Sequence, residues 1–271
     1  MSLSILNNIP ALSAQNDLQS TQASLQNTLL QLASGQRINS GADDAAGLAI
    51  ANGLGANITA LNQSAMNAND GIGALQVADG ALGQVTNLLN RAVTIATESA
   101  TGTVSNSQRT ALDTEYTAIK NEIDQIGQNT TFNATSVFTA STTSIFMSDA
   151  VANSIIGVSV GTLSSSGLSL SGTDLTTDTN AQTALSAIDT AISSVADTRG
   201  SIGASVNRLQ AASNVISVQV QNLTAAQDAI QGANIATEVT NLSKYSILNQ
   251  TGIAALAQAN SQQQNILQLL H

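Results

Sequence analysis

Apolar residues recur in three-and-four steps near both ends of this chain and fall into alternation in the middle. The longest ladder is Leu185, Ile188, Ile192, Val195, Ile202, Val206, Leu209, Ile216, Val220, Leu223 and Ile230, with Arg199, Ser213 and Gln227 on the other rungs. This spacing predicts one helix of about six heptads, roughly 65–70 Å long. A helix that long needs a partner along its whole length. After Ile230 the frame slips by one residue and resumes through Ile235, Val239, Leu242, Ile253, Leu256, Leu267 and Leu270. At the other end Leu18, Leu25 and Leu32 repeat at intervals of seven. Two more helical stretches lie between, one from Ile58 through Leu75 to Ala92 and one through Leu112, Tyr116, Ile119, Ile123 and Ile126. The segment from Thr101 to Ser107 separates them as a turn.

Residues 130–180 are of another kind. Of the 50 residues from Thr130 to Thr179, 22 are Ser or Thr, which is too polar for a helical stripe. Ile156, Val158 and Val160 alternate with small residues as a strand does, and the run Ser164 to Gly167 signals a turn. Hairpins forming a small sheet are expected here, with Asp178 or Thr179 capping the long helix that follows. The predicted fold is therefore mainly α. Long antiparallel helices or a coiled coil come from both chain ends, with a small β-hairpin-rich insert in the middle.

Charge sharpens the picture. The first helix carries only Asp17 before Arg37, and the last carries only Lys244 from Val239 onward. Helices so poor in charge expect contact on their outer faces as well, and alone in water they are marginal. The two can cover each other and then further subunits, which favours a polymer over a monomer. Across the chain, 7 Lys+Arg against 17 Asp+Glu leave a net charge of −10, which argues against nucleic acid as a partner. With no Cys and a single His, His271, neither a thiolate metal site nor a histidine-based triad is expected. Aromatic residues are 2% of the chain, too few to line an ordinary substrate pocket, so no enzyme and no cofactor is expected. No apolar run reaches transmembrane length, and no basic segment precedes an apolar one as in a cleaved secretory signal.

Several separated motifs carry a family resemblance. Leu32 to Ser40 (LASGQRINS), Asp43 to Asn52 (DDAAGLAIAN) and Gln63 to Ile72 (QSAMNANDGI) resemble the N-terminal signature of bacterial flagellin. Thr131-Phe132-Asn133 is similar to the start of that family's variable region. Asn207-Arg208-Leu209, Ala236 to Val239 and Leu256 to Asn260 resemble its C-terminal half. The chain departs from the family pattern at Gln31 and Gly53, where Arg is common, and around Gln231-Gly232, which has lost charge.

By this resemblance the protein is a subunit of the flagellar filament. Residues 1–40 form a core helix pairing with a second at 235–271. Residues 41–129 and 181–234 form shell helices, and 130–180 form the solvent-facing surface segment. The resemblance implies export, without a cleaved signal, through the flagellar type III channel to the extracellular flagellum. Its implied partners are other copies of the chain, an export chaperone, the filament cap and the hook–filament junction protein. The implied polymerisation core is Leu18, Leu25, Leu32, Val239, Leu242, Ile253, Leu256, Leu267 and Leu270. Leu89, Arg91 and Glu115 fall on the surface that the vertebrate Toll-like flagellin receptor recognises in this family. The alternative for Arg91 and Glu115 is a simple ion pair between two helices.

Other features have plainer readings. Asp43-Asp44 follows Ser40-Gly41 and suits the start of a helix, where a carboxylate offsets the helix dipole. Gly53-Leu-Gly55 and Gly71-Ile-Gly73 lack the later glycine of a dinucleotide loop and suit tight helix contacts. The Ser/Thr-rich segment is either an unmodified polar surface or, as in some flagellins, O-glycosylated. Two rivals to the filament subunit remain: a hook–filament junction protein, and an adhesin presenting the Ser/Thr-rich tip.

Overall fold

The computed structural model describes residues 8–148 and 154–268; of 265–268 it describes the backbone alone. Among the described residues five helices and four short strands follow in order: α1 (Ile9–Ser34), α2 (Ala45–Ser99), α3 (Asn106–Asn129), β1 (Thr131–Phe132), β2 (Thr135–Ser136), β3 (Thr143–Phe146), β4 (Ile155–Val158), α4 (Asp178–Gln231) and α5 (Ile235–Gln268). Long helices from both chain ends flank a hairpin insert, as the spacing predicts. The strands form two separate antiparallel hairpins, β1–β2 and β3–β4, with no single sheet uniting them.

Two compact units result. One comprises residues 1–56 with 222–271, the other residues 57–221. The division therefore falls inside α2 and α4, whereas the family resemblance places its boundaries at residues 40 and 234.

The first unit is built on α1 and α5, which run antiparallel. Asn8 Nδ2 donates to the Ala259 carbonyl at 3.2 Å, Leu18 lies against Gly252, and Gln36 bridges to Gly232. Asn8 also caps α1, accepting the Ala11 N–H, and Pro10 sits in the first turn where its missing N–H costs nothing. Gly35, at φ 69°, ends α1 in the left-handed conformation that glycine adopts freely.

The motif after Gly35 then closes on the end of α4. Arg37 N–H donates to the Gln231 carbonyl at 2.7 Å, and its guanidinium reaches the Ile230 carbonyl at 2.8 Å. A cation there meets the negative end of the helix dipole. Ile38 is fully buried, and a Cβ on Gly47 would stand only 2.8 Å from its side chain. Asp44 accepts the Gly47 N–H and caps α2, while Asp43 accepts the N–H groups of Asn39 and Ser40. The acidic pair thus acts by hydrogen bonding to specific amides, and the helix dipole is the smaller part of its role.

The second unit draws its core from heptad-spaced positions. On α2 these are Leu61, Ala68, Leu75, Leu82 and Leu89, and on α4 they are Ile188, Val195, Ile202, Leu209 and Ile216. Each fully buried leucine or isoleucine contributes about 1.5–3 kcal/mol. Tyr116, Ile119 and Ile123 supply the inner face of α3, which starts with a capping box between Ser105 and Gln108.

One local expectation is overturned and another holds only in part. Thr177 caps α4 through its hydroxyl, which accepts the Asn180 N–H at 3.1 Å, so Asp178 and Thr179 are already helical. The glycines of the two G-x-G pairs do not mark helix contacts throughout. Gly55 lies against Gln227 of α4 and Gly71 against Leu209 of α4 as well as Ile145 of β3, whereas Gly73 lies against the Phe132 ring and Gly53 faces open space.

Candidate assembly interface

On α1 the covered positions include Ala11, Ala14, Leu18, Thr21, Leu25, Thr28 and Leu32, an unbroken three-four seam. On α5 they include Glu238, Leu242, Tyr245, Asn249, Gly252, Leu256, Ala259 and Gln263. Leu18, Leu25, Leu32, Leu242 and Leu256 are thus half-buried between α1 and α5 of the same chain. Val239 and Ile253 are not; they stand 47% and 53% exposed, one residue off the seam or more. Leu267 belongs to α5 with its side chain outside the described residues, and Leu270 lies outside them altogether.

Sequence periodicity missed this division because the apolar stripe of α5 is wider than one seam. Ile235, Val239, Ser246, Ile253 and Asn260 form a second ladder, adjacent to the first at most rungs. Ile235, Val239, Ile247, Leu248 and Ile253 on α5 and Ile9, Leu12, Leu29 and Leu30 on α1 expose large apolar side chains. A groove of about 1050 Å³ follows one side of the pair, between Asn8, Leu12, Gln15 and Gln19 of α1 and Leu256 and Asn260 of α5. No soluble monomer gains from such a surface.

A second site lies in the other unit. Arg91 Nε donates to Glu115 Oε1 at 2.7 Å, joining α2 to α3, with both side chains about half exposed. Glu115 holds the Arg91 guanidinium above its ordinary pKa. Leu89 does not share this surface. It is fully buried on the inner face of α2, because the seven-residue repeat that includes Leu75 and Leu82 turns it inward. Arg199 pairs in the same manner with Asp79 at 2.7 Å, and that pairing lowers the pKa of the Asp79 carboxyl.

The chain has counterparts among known proteins. Residues 5–143 match the family model of the bacterial flagellin N-terminal helical region, and residues 185–270 that of the bacterial flagellin C-terminal helical region. The chain belongs to the bacterial flagellins. Among its relatives is a flagellin of Halalkalibacterium halodurans, 34% identical, with 98% of this chain and 99% of the relative covered. The flagellar filament 30.7 kDa core protein of Treponema maltophilum is 31% identical over the same shares of the two chains. A flagellin of Bacillus subtilis is 34% identical, again across 98% of this chain and 99% of the relative. The crystal structure of Bacillus cereus flagellin superposes with a TM-score of 0.50 at 30% identity, covering 60% of this chain and 94% of that one.

As a flagellin, the chain uses its signature residues structurally. Arg37, Ile38, Asp43, Asp44 and Gly47 all serve the joint between the ends of α1 and α4 and the start of α2. Sequence reasoning also missed Arg109, the buried cation at the end of α2. Its Nε, Nη1 and Nη2 donate to the carbonyls of Ser99, Val104 and Thr101 at 2.9, 2.7 and 2.9 Å. The available signal was its place four residues into a helix whose preceding turn leaves carbonyls without partners. Among the described residues no cluster of three or more His, Cys, Asp or Glu could hold a metal, and no helix is long and apolar enough to cross a membrane.

Proposed function

We propose that this chain, a structural subunit of the flagellar filament, polymerises by burying the outer faces of its α1–α5 pair between copies. The observation that carries this reading is the second apolar ladder, with Val239, Ile253, Ile9 and Leu12 all exposed on a pair that has almost no charge. Pairing inside one chain leaves these side chains in water, and burial between chains at about 25 cal/mol per Å² offsets the cost of ordering the helices. Leu18, Leu25, Leu32, Leu242 and Leu256 then act indirectly, by holding α1 to α5 so that the outer ladder is presented as one surface. Residues 130–180 face solvent in this reading.

The same reading takes the finer expectations with it. Export proceeds through the flagellar channel, and a flagellar chaperone covers the apolar faces before assembly at the cap. A hook–filament junction protein supplies the first seat. A vertebrate Toll-like receptor would meet Arg91 and Glu115. The test is polymerisation of the purified monomer by short seeds or a precipitating salt, followed by negative-stain electron microscopy and circular dichroism. Long uniform tubes, with helicity rising on assembly, are expected. A monomer that only caps seeds would assign the chain to the junction instead.

A further inference from the structure

Beneath the two hairpins of the second unit lies a cavity of about 280 Å³ with no part in helix pairing. Its floor is apolar: the ring of Phe132, with Leu75, Ile145 and Val158, the last three buried. Its rim is polar: Asp70, Asn133, Thr135, Ser136 and Thr143.

Of the rim side chains, Asp70, Asn133, Thr135 and Thr143 are exposed and Ser136 is half-buried, so the rim opens to solvent. In the helices, Thr86, Thr94 and Thr97 donate to the carbonyls four residues before them. Around the cavity, the side chains of Asp70, Asn133, Thr135, Ser136 and Thr143 have no hydrogen-bond or ion-pair partner among the described residues. Five polar side chains without protein partners therefore border a cavity floored by the half-buried Phe132 ring. The β1–β2 turn fixes two of them. Asn133 and Ala134 both take positive φ, 49° and 61°, as a two-residue hairpin turn requires, which places Asn133 and Thr135 on either side of the tip.

The chemistry narrows the ligand. The volume is below the roughly 300–1,000 Å³ of a drug-sized site, so it admits one small ring. A wholly apolar ligand would strip five polar groups of water without replacing their bonds. An organic anion would meet Asp70 in a chain of net charge −10. A neutral sugar ring matches both halves, with a C–H face for the Phe132 ring and an edge of hydroxyls that can donate to Asp70 and accept from the threonines.

We propose that this cavity binds a single neutral pyranose, either a free monosaccharide or the terminal residue of a glycan. Every lining residue belongs to the second unit, so the site is formed without the α1–α5 pair. A ligand of so few atoms binds with a dissociation constant in the millimolar range.

The test is an NMR titration of the full-length ¹⁵N-labelled monomer with methyl glycosides of neutral hexoses and N-acetylhexosamines, repeated by co-sedimentation with assembled filaments. Saturable shifts confined to Gly71, Phe132, Asn133 and Thr135 are expected for at least one sugar. Asp70→Ala should weaken binding at least about tenfold while circular dichroism is unchanged. Thr135→Val serves as a second variant should Asp70→Ala disturb the fold. Oligosaccharides ending in the preferred sugar distinguish the sources: equal affinity marks a glycan terminus, and loss of binding marks the free monosaccharide. No saturable shift up to tens of millimolar, or equal binding by both variants, would overturn the proposal.

Discussion

Arg109 Nε donates to the carbonyl of Ser99 at 2.9 Å, and the same guanidinium spans the carbonyls of Thr101 and Val104, so one buried cation terminates α2 and shapes the turn into α3. Hydrogen bonds from a charged donor contribute more than neutral ones, and their loss strands the buried Ser99 carbonyl. Arg109→Ala should destabilise the monomer by about 2–4 kcal/mol. Arg109→Lys should recover only part of this, because an ammonium cannot span three carbonyls. Urea unfolding measures both, and a near-neutral Arg109→Ala would show that water replaces the guanidinium.

Ile253 and Leu256 lie on the two adjacent ladders of α5 and should separate pairing from assembly. Ile253→Asp places a charge on the exposed face, so the monomer should keep its helicity while the critical concentration for polymerisation rises by at least about tenfold, or about 1.4 kcal/mol. Leu256→Asp sits in the α1–α5 seam and should already lower monomer helicity. Circular dichroism and sedimentation of assembled material read the two effects apart. Equal behaviour of the two variants would refute the division.

Gly127 packs against the backbone carbonyl of Leu163, where a Cβ would overlap it. Backbone cannot move aside as a flexible side chain can. Gly127→Ala should therefore cost about 3 kcal/mol and loosen the segment 163–175 from α3. That segment is otherwise held by Asp124 on the Ser165 N–H and hydroxyl, by Tyr116 on Thr173 and by Asp113 on the Leu175 N–H. Faster hydrogen exchange at Ser165 and Leu175 in the variant would report the loosening.

Ala134 holds φ at 61°. That conformation costs an L-residue about 1–2 kcal/mol. Glycine removes the strain but adds some unfolded-state entropy. Ala134→Gly should therefore stabilise the unit by about 0.5–1 kcal/mol net. A fall in thermal midpoint would mean that the methyl group packs more than it strains.

Acid sensitivity follows from three carboxyls held below their ordinary pKa. Asp43 is lowered by the amides of Ser40 and Asn39, Asp79 by Arg199, and Asp174 by the Thr176 hydroxyl and the Asn180 amide. As pH falls through the unfolded value of about 4, the unfolded chain takes up protons first. Stability should thus be complete above that pH and decline as the folded-state values are crossed. The thermal midpoint should be flat above about pH 5, and its acid decline should shrink in Asp79→Asn combined with Asp174→Asn.

The helices, their faces and the polar hairpin segment were legible in the residue order alone, because three-four spacing and alternation follow from backbone geometry within a few residues. The family was legible there too, through motifs such as LASGQRINS whose side chains serve one local joint. Which of two neighbouring ladders on α5 faces α1 was settled by packing in the folded chain. The small side chains of Gly252 and Ala259 let α1 approach, with Leu18 seated against Gly252, and Val239 and Ile253 are left outside. Only the fold, likewise, turned Leu89 inward and drew Asp70, Phe132 and Asn133 around one cavity. Periodicity records which side of a helix is apolar, whereas the choice of partner along a wide stripe depends on how closely two particular backbones can pack.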